Sequence, residues 1–331
     1  MKIGPVRLDG FLLAILAAVA VAAVIPATGD AVPALDGVVT VAIFVLFFMY
    51  GGRLEPREAL AGIRHWRLHA VILSFTYVVF PMLGLLLGIA MRHVLTAPLA
   101  LGVVYLCLVP STVQSSITFT SIAKGNVAGA IVSASFSNLI GVLVTPLLVM
   151  LLMTGGAGGL HVETSSILDL VVQILVPFVL GQVSRPFTAT WLANNNAWLK
   201  FVDRGVIVLV VYSAFSAGMR EGIWGMVSVG QILIVALVSA LLLAVVLWAT
   251  AATARALRFS RGDRIAIQFC GTKKSLATGL PMAAVLFAGE KVGLVILPLM
   301  IFHQLQLMVC SALASRYARE LDAETEGATA A

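Results

Sequence analysis

Ten runs of apolar residues, each long enough to cross a bilayer, follow one another through this 331-residue chain. They fall at roughly 9–26, 35–51, 68–91, 97–121, 127–153, 165–184, 199–218, 226–254, 265–288 and 291–315. Apolar residues make up 60% of the chain and charged residues 11%, against about 25% charged in a soluble domain. Mean hydropathy is +1.06. The expected class is an all-α polytopic membrane protein, one membrane domain with little room for a soluble one.

Charge placement tests the span count, because cytoplasmic segments collect Lys and Arg. With the N-terminus inside, sixteen of the 21 basic residues fall on cytoplasmic segments. Only Arg92, Arg220 and Lys291 fall outside. A missed or invented span would invert the parity downstream and spoil that segregation. Ten spans with both termini cytoplasmic is therefore the expectation. A competing reading takes the first run as a signal peptide, since Lys2 and Arg7 precede it and small residues follow Pro26. Its removal would leave nine spans. The net charge of +6 does not point to nucleic acid, because the basic residues form no stripe or tail. Cys107, Cys270 and Cys310 all lie in apolar runs and read as small core residues. No metal pattern or cofactor motif is apparent.

Two basic residues remain, Lys273 and Lys274, in the middle of the ninth span. A lysine at mid-bilayer costs roughly 2.5–3.5 kcal/mol on insertion scales, so it is tolerated only facing protein, water or a ligand. The glycine-rich stretch 154–160 divides the chain into halves of five spans, 1–158 and 159–331, which enter the membrane from opposite sides. That is the inverted-repeat plan of many secondary transporters. The fourth span of each half is interrupted in a matching place. In the first half Pro110 is followed by Ser111-Thr-Val-Gln-Ser-Ser, and in the second the run gives way at Cys270-Gly-Thr-Lys-Lys-Ser. Polar interruptions in register point to discontinuous helices at a binding site. The plainer reading is that these hydroxyls bond back to their own helices and aid packing.

The segments Pro110-Ser-Thr-Val-Gln-Ser-Ser, Ala123-Lys-Gly-Asn, Gly52-Arg-Leu and Phe269-Cys-Gly-Thr-Lys-Lys-Ser-Leu-Ala carry a family resemblance. The chain resembles the bile acid:sodium symporter superfamily, in its sodium/bile-acid-symporter-like branch. The resemblance implies ten helices in a panel and a core, the fourth and ninth broken and crossing, and organic anions moved by alternating access. It carries a sodium-binding pattern onto this sequence only in part. Ser115 and Ser116 keep oxygen ligands and mark a weak sodium site. The hydroxyls expected in the fifth span fall on Ala130 and Ala134, with Ser133, Ser137 and Asn138 nearby. In the ninth span Phe269 stands at the carboxylate position, Lys273 at a glutamine and Lys274 at an asparagine. A tethered ammonium could replace the ion there. Desolvation would favour its neutral form, so it could also carry a proton or pair with an anionic substrate. Adjacent helical positions point about 100° apart, so one lysine would face the break and the other a vestibule.

The candidate binding residues are thus Gln114, Ser115, Ser116, Ser133, Ser137, Asn138, Thr272, Lys273, Lys274 and Ser275, with Asp169, His303 and Gln304 as accessories. For His303, Gln304 and Gln306 an interhelical hydrogen-bonding role competes with binding. Lys200, Asp203 and Arg204 read as a structural charge cluster at the cytoplasmic interface, and Arg53 as part of a topology-setting loop. The acidic tail from Glu320 reads as unordered. The function expected is secondary transport of small organic anions, proton-coupled or uncoupled, with a sodium-coupled symporter as the alternative. A membrane-embedded Ser–Lys hydrolase and a non-transporting regulator are the readings of other classes, but adjacent residues such as Lys274 and Ser275 cannot act as base and nucleophile. Abundant Ala, Gly and Arg suggest a bacterial inner membrane.

Overall fold

A computed structural model describes residues 2–3, 6–7, 10–53, 65–153, 164–222, 225, 227–287 and 291–330. Apart from one antiparallel pairing, Lys2 with Arg7 and Ile3 with Val6, the regular elements are helices. In order they are α1 (Gly10–Val24), α2 (Ala31–Arg53), α3 (Trp66–Ser74), a π-helical turn (Phe75–Val79) and α4 (Phe80–Met91). Then come α5 (Ala97–Leu108), α6 (Gln114–Ile122), α7 (Val127–Met153), α8 (Thr164–Asn194) and α9 (Asn196–Arg220). The chain ends with α10 (Val229–Ala256), α11 (Arg261–Gly271), α12 (Leu276–Leu286) and α13 (Val292–Ala330).

Among the described residues, six helical stretches are long and apolar enough to cross a membrane: α2, α3 to α4, α7, α9, α10 and α13. The protein is a multi-pass membrane protein. Its outer surface agrees, since Leu233, Leu237, Leu241, Val245 and Trp248 form one exposed apolar stripe along α10. Water would penalise such a stripe, whereas lipid solvates it. The glycine-rich stretch at 154–160 and the loop residues Glu55, Arg57 and Glu58 lie outside the described residues. Two helices outrun their apolar segments. α8 continues past residue 184 to Asn194, and α13 continues over the acidic tail to Ala330. On α13 the pair Arg316–Glu320, 2.7 Å apart at i,i+4 spacing, supports a turn that apolar content alone would not predict.

The helices form two groups. α1, α2, α8 and α9 pack mainly with one another, and α3 to α7 pack with α10 to α13. Contact between α2 and α8 is close because glycines face backbone. A Cβ on Gly51 would strike the Phe178 carbonyl, and one on Gly181 the Phe48 carbonyl. The groups meet where α12 and α13 lie against α8 and α9.

The fourth and ninth apolar runs are each two short helices. Pro110 forces its predecessor out of the helical region, and Val109 is extended with ψ 154°. α6 restarts at Gln114. The second interruption runs from Thr272 to Ser275, whose hydroxyl caps α12 by accepting from Thr278 N at 3.2 Å.

Substituting Gly181→Ala is expected to pry α2 from α8 at a cost of about 1–3 kcal/mol. The check is a lower melting temperature in detergent; an unchanged one contradicts the backbone contact.

Candidate functional site

A helix that stops inside the membrane leaves its last carbonyls without partners. Here each break supplies donors to the other. At the end of α5, the Cys107 and Val109 carbonyls accept from Lys274 Nζ at 2.9 and 2.8 Å. The Pro110 carbonyl accepts from Ser275 N at 2.8 Å, and Leu108 from Thr145 Oγ1 at 2.9 Å. At the end of α11, the Phe269 carbonyl accepts from Ser116 Oγ at 3.3 Å and Cys270 from Ser111 Oγ at 2.6 Å. Thr272 Oγ1 turns back to the Gln268 carbonyl at 2.6 Å. The two interruptions are therefore in direct contact.

Neighbouring helices pin this crossing from behind. Ser111 N donates to Ser137 Oγ at 3.1 Å, and Asn138 Nδ2 donates to the Ser111 carbonyl at 2.6 Å. Asn138 Oδ1 in turn accepts from Thr278 Oγ1 at 2.7 Å, so α7 ties both breaks together. On α13 the Gln306 amide brackets Lys274, accepting from its N–H and donating to its carbonyl, each at 2.9 Å. His303 Nδ1 lies 2.8 Å from Gln306 Nε2. Ser133 is engaged elsewhere, 2.7 Å from His69 Nδ1.

The two lysines are adjacent and fully buried, yet their surroundings differ. Lys274 Nζ has a third acceptor, the Thr76 carbonyl at 3.0 Å, and sits 4.1 Å from the centre of the Phe80 ring. That carbonyl is open because it belongs to the π-helical turn, and Pro81 beyond it has no N–H to donate. Three donors thus meet three carbonyls. Among the described residues, Lys273 Nζ makes no hydrogen bond to oxygen or nitrogen. It lies 4.0 Å over the Phe119 ring and 5.7 Å from that of Phe269, with the Cys270 and Cys310 thiols as polar neighbours. The lysines sit in non-helical backbone, so the 100° divergence of helical neighbours does not apply, and neither ammonium lines the cavity beside the crossing.

That cavity has a volume of about 560 Å³ and lies between the two helix groups. Of the residues singled out in the sequence, Gln114, Ser115, Asn138, Ser275 and His303 line it. Ser116, Ser133, Ser137, Thr272, Lys273 and Lys274 are buried behind it. Ser115 Oγ donates to Thr112 Oγ1 at 3.2 Å, so the two serines of the weak sodium site point to different partners. Gln304 Oε1 is buried without a hydrogen-bond partner among the described residues, and the Asp169 side chain lies outside them. The first turns of α6 and α12 form the core wall. α6 starts without a side-chain cap, which leaves the positive end of a helix dipole facing the space.

Sequence reasoning missed the opposite wall. Arg53, Lys200, Asp203 and Arg204, read from sequence as interface and loop charges, line the cavity together with Tyr50. A second cavity of about 450 Å³ lies toward Arg220 and Lys291. The same helices serve both. On α2, Phe44 lines the second cavity and Tyr50 the first; on α12, Ala284 and Thr278 divide in the same way. Phe47, Ile174 and Leu280, all fully buried, lie at the intervening positions.

Interrupted helices meeting beside a polar cavity in a multi-pass membrane protein define a membrane transporter of the secondary type. The model of the SBF-like CPA transporter family matches residues 9–319. A Pseudomonas aeruginosa relative, "Uncharacterized protein PA2026", is 48% identical over 318 residues, covering 95% of this chain and 94% of its own. The Escherichia coli protein named "Putative symporter YfeH" is 46% identical over 316 residues, with 95% and 94% covered. The rat "Sodium/bile acid cotransporter 7" is 30% identical over 314 residues, with 93% and 92% covered. The chain belongs to the SBF-like CPA transporter family, and it is a transporter of the bile acid:sodium symporter type rather than an enzyme.

The two lysines separate by experiment. Lys274→Met strands three carbonyls and is expected to be strongly destabilising, since each buried carbonyl left without a donor costs about 1–3 kcal/mol. Lys273→Met removes a buried ammonium that has no oxygen partner and is expected to raise the melting temperature. Equal losses for both contradict the assignment.

Proposed function

We propose that the protein moves small organic anions by alternating access, using the larger cavity as one face of its binding site. The observation that carries this reading is the cavity's electrostatic makeup. The α6 and α12 N-termini stand on one wall, and Arg53, Lys200 and Arg204 on the other. A volume of about 560 Å³ suits a small organic ligand. Phe11, Phe178, Leu139 and Val142 supply apolar contact for the body of an amphipathic anion. The apolar septum at Phe47, Ile174 and Leu280 would part and re-form as the two helix groups slide, exposing the site to each cavity in turn.

In the same reading the chain has ten spans in two inverted halves, 1–158 and 159–331. α5–α6 and α11–α12 are the equivalent broken helices. The protein would lie in a bacterial inner membrane with both termini cytoplasmic, which puts the larger cavity on the cytoplasmic side and the second outside. Lys274 takes the place of a coupling cation: its ammonium already occupies a three-carbonyl cage at the crossing. Transport is then uncoupled, or proton-coupled through Lys273 or Lys274. Sodium coupling is the second reading, favoured by the names of the vertebrate relatives.

Purified protein in liposomes decides between them. A panel of taurocholate, cholate, aryl sulfates and dicarboxylates is followed by counterflow, with sodium and pH gradients imposed in turn. Counterflow that persists when choline replaces sodium is the expected result. Strict sodium dependence overturns the tethered-cation reading. Movement of no panel member, with release of a covalent product, favours a hydrolase.

A further inference from the structure

Arg53 and Asp203 form the one ion pair on the cavity lining among the described residues, Nη1 to Oδ2 at 2.7 Å. Their side chains are only 23% and 17% exposed. The pair is single-point. Among the described residues, Arg53 Nε and Asp203 Oδ1 are both buried without a hydrogen-bond partner, and Nη2 has only the Met49 sulfur at 3.9 Å. An arginine prefers to meet a carboxylate through two parallel bonds. Here the Nε edge of the guanidinium fork is unused, and Arg53 lines a cavity otherwise furnished for anions. A buried pair left half-satisfied is a poor stabiliser and a poised exchange site.

The pair is not a lock between the moving groups. Arg53 is on α2 and Asp203 on α9, both in the same helix group, so breaking it frees neither group from the other. Its effect is on cavity charge. Arg53, Lys200 and Arg204 against Asp203 leave two positive charges on the lining, and without Asp203 there would be three. Closing an empty cavity around unpaired cations carries a desolvation penalty that a resident carboxylate relieves.

We propose that Asp203 is a tethered counter-anion: substrate displaces it from Arg53 on binding, and it re-pairs when the carrier returns empty. The inference rests on the anion reading above and deepens it. It makes Asp203 the residue that permits net transport in addition to exchange.

The test uses full-length protein in liposomes with taurocholate as probe. Three quantities are measured: binding, exchange against internal taurocholate, and net uptake into empty vesicles. Asp203→Asn is expected to tighten binding about tenfold, the low end of coupling between close charge pairs at interfaces. Net uptake is expected to fall about tenfold further than exchange does. In an Arg53→Gln background the substitution is expected to lose its effect on binding. Weaker binding in Asp203→Asn, or equal effects on net uptake and exchange, overturns the proposal, because Asp203 would then merely position Arg53. Should Asp203→Asn not fold, Asp203→Glu is read instead. Its longer carboxylate reaches the unused edge of Arg53 and is expected to weaken binding while preserving net uptake; unchanged binding overturns the idea. If neither Arg53→Gln nor the panel as a whole shows any anion-dependent signal, the anion reading itself fails.

Discussion

Everything at the centre of this molecule depends on how two interrupted helices satisfy each other's carbonyls. An unpaired buried carbonyl costs about 1–3 kcal/mol, and lipid offers no water to relieve it. The carbonyls from Cys107 to Pro110 and from Gln268 to Cys270 would together make the breaks untenable. Lys274, Ser275, Ser111 and Ser116 remove most of that cost by donating across the crossing, while Thr145 of α7 covers Leu108 and Thr272 turns back to Gln268. Because donors and acceptors come from opposite breaks, neither interruption is satisfied unless the other is beside it. The crossing is therefore fixed as a unit, and the N-terminal ends of α6 and α12 are aimed into one cavity as a consequence.

This arrangement separates two jobs that the sequence places side by side. Lys274 Nζ spends its three donors on backbone carbonyls. The polar groups that line the cavity are elsewhere, on the far wall and at the helix starts. The rat relative is named for sodium. In this chain an ammonium sits where the resemblance to symporters places a neutral amide near the ion, and it fills a cage of the kind an ion would need. That gives a physical reason to keep the family's transport activity while questioning whether sodium couples it.

Much of this was legible in the residues. The apolar runs and the segregation of basic charge announced a multi-pass membrane protein, and Pro110 with the Lys-Lys pair marked both breaks. Three things were hidden. The partner of Lys274 on the third run required seeing that Pro81 empties a carbonyl in a π-helical turn, and no local pattern signals such a turn. The different fates of Lys273 and Lys274 depend on the non-helical backbone at 273–275, where helical geometry gives the wrong directions. Arg53, Lys200 and Arg204 were misread because a basic residue at a span end looks the same whether it meets headgroups or a vestibule. The i,i+3 and i,i+4 spacing of Lys200, Asp203 and Arg204 was the available hint. It placed a carboxylate and two cations on one helical face at the start of an apolar span.

The most direct test of the central claim asks whether the Lys274 ammonium is the cation of the carbonyl cage. Lys274→Ala should leave that cage empty and able to take a free cation. Its melting temperature should rise with added ethylammonium or sodium, following the logarithmic dependence of a bound ligand, while the unaltered protein should not respond. A variant indifferent to every monovalent cation, or an unaltered protein that sodium itself stabilises, would contradict the account.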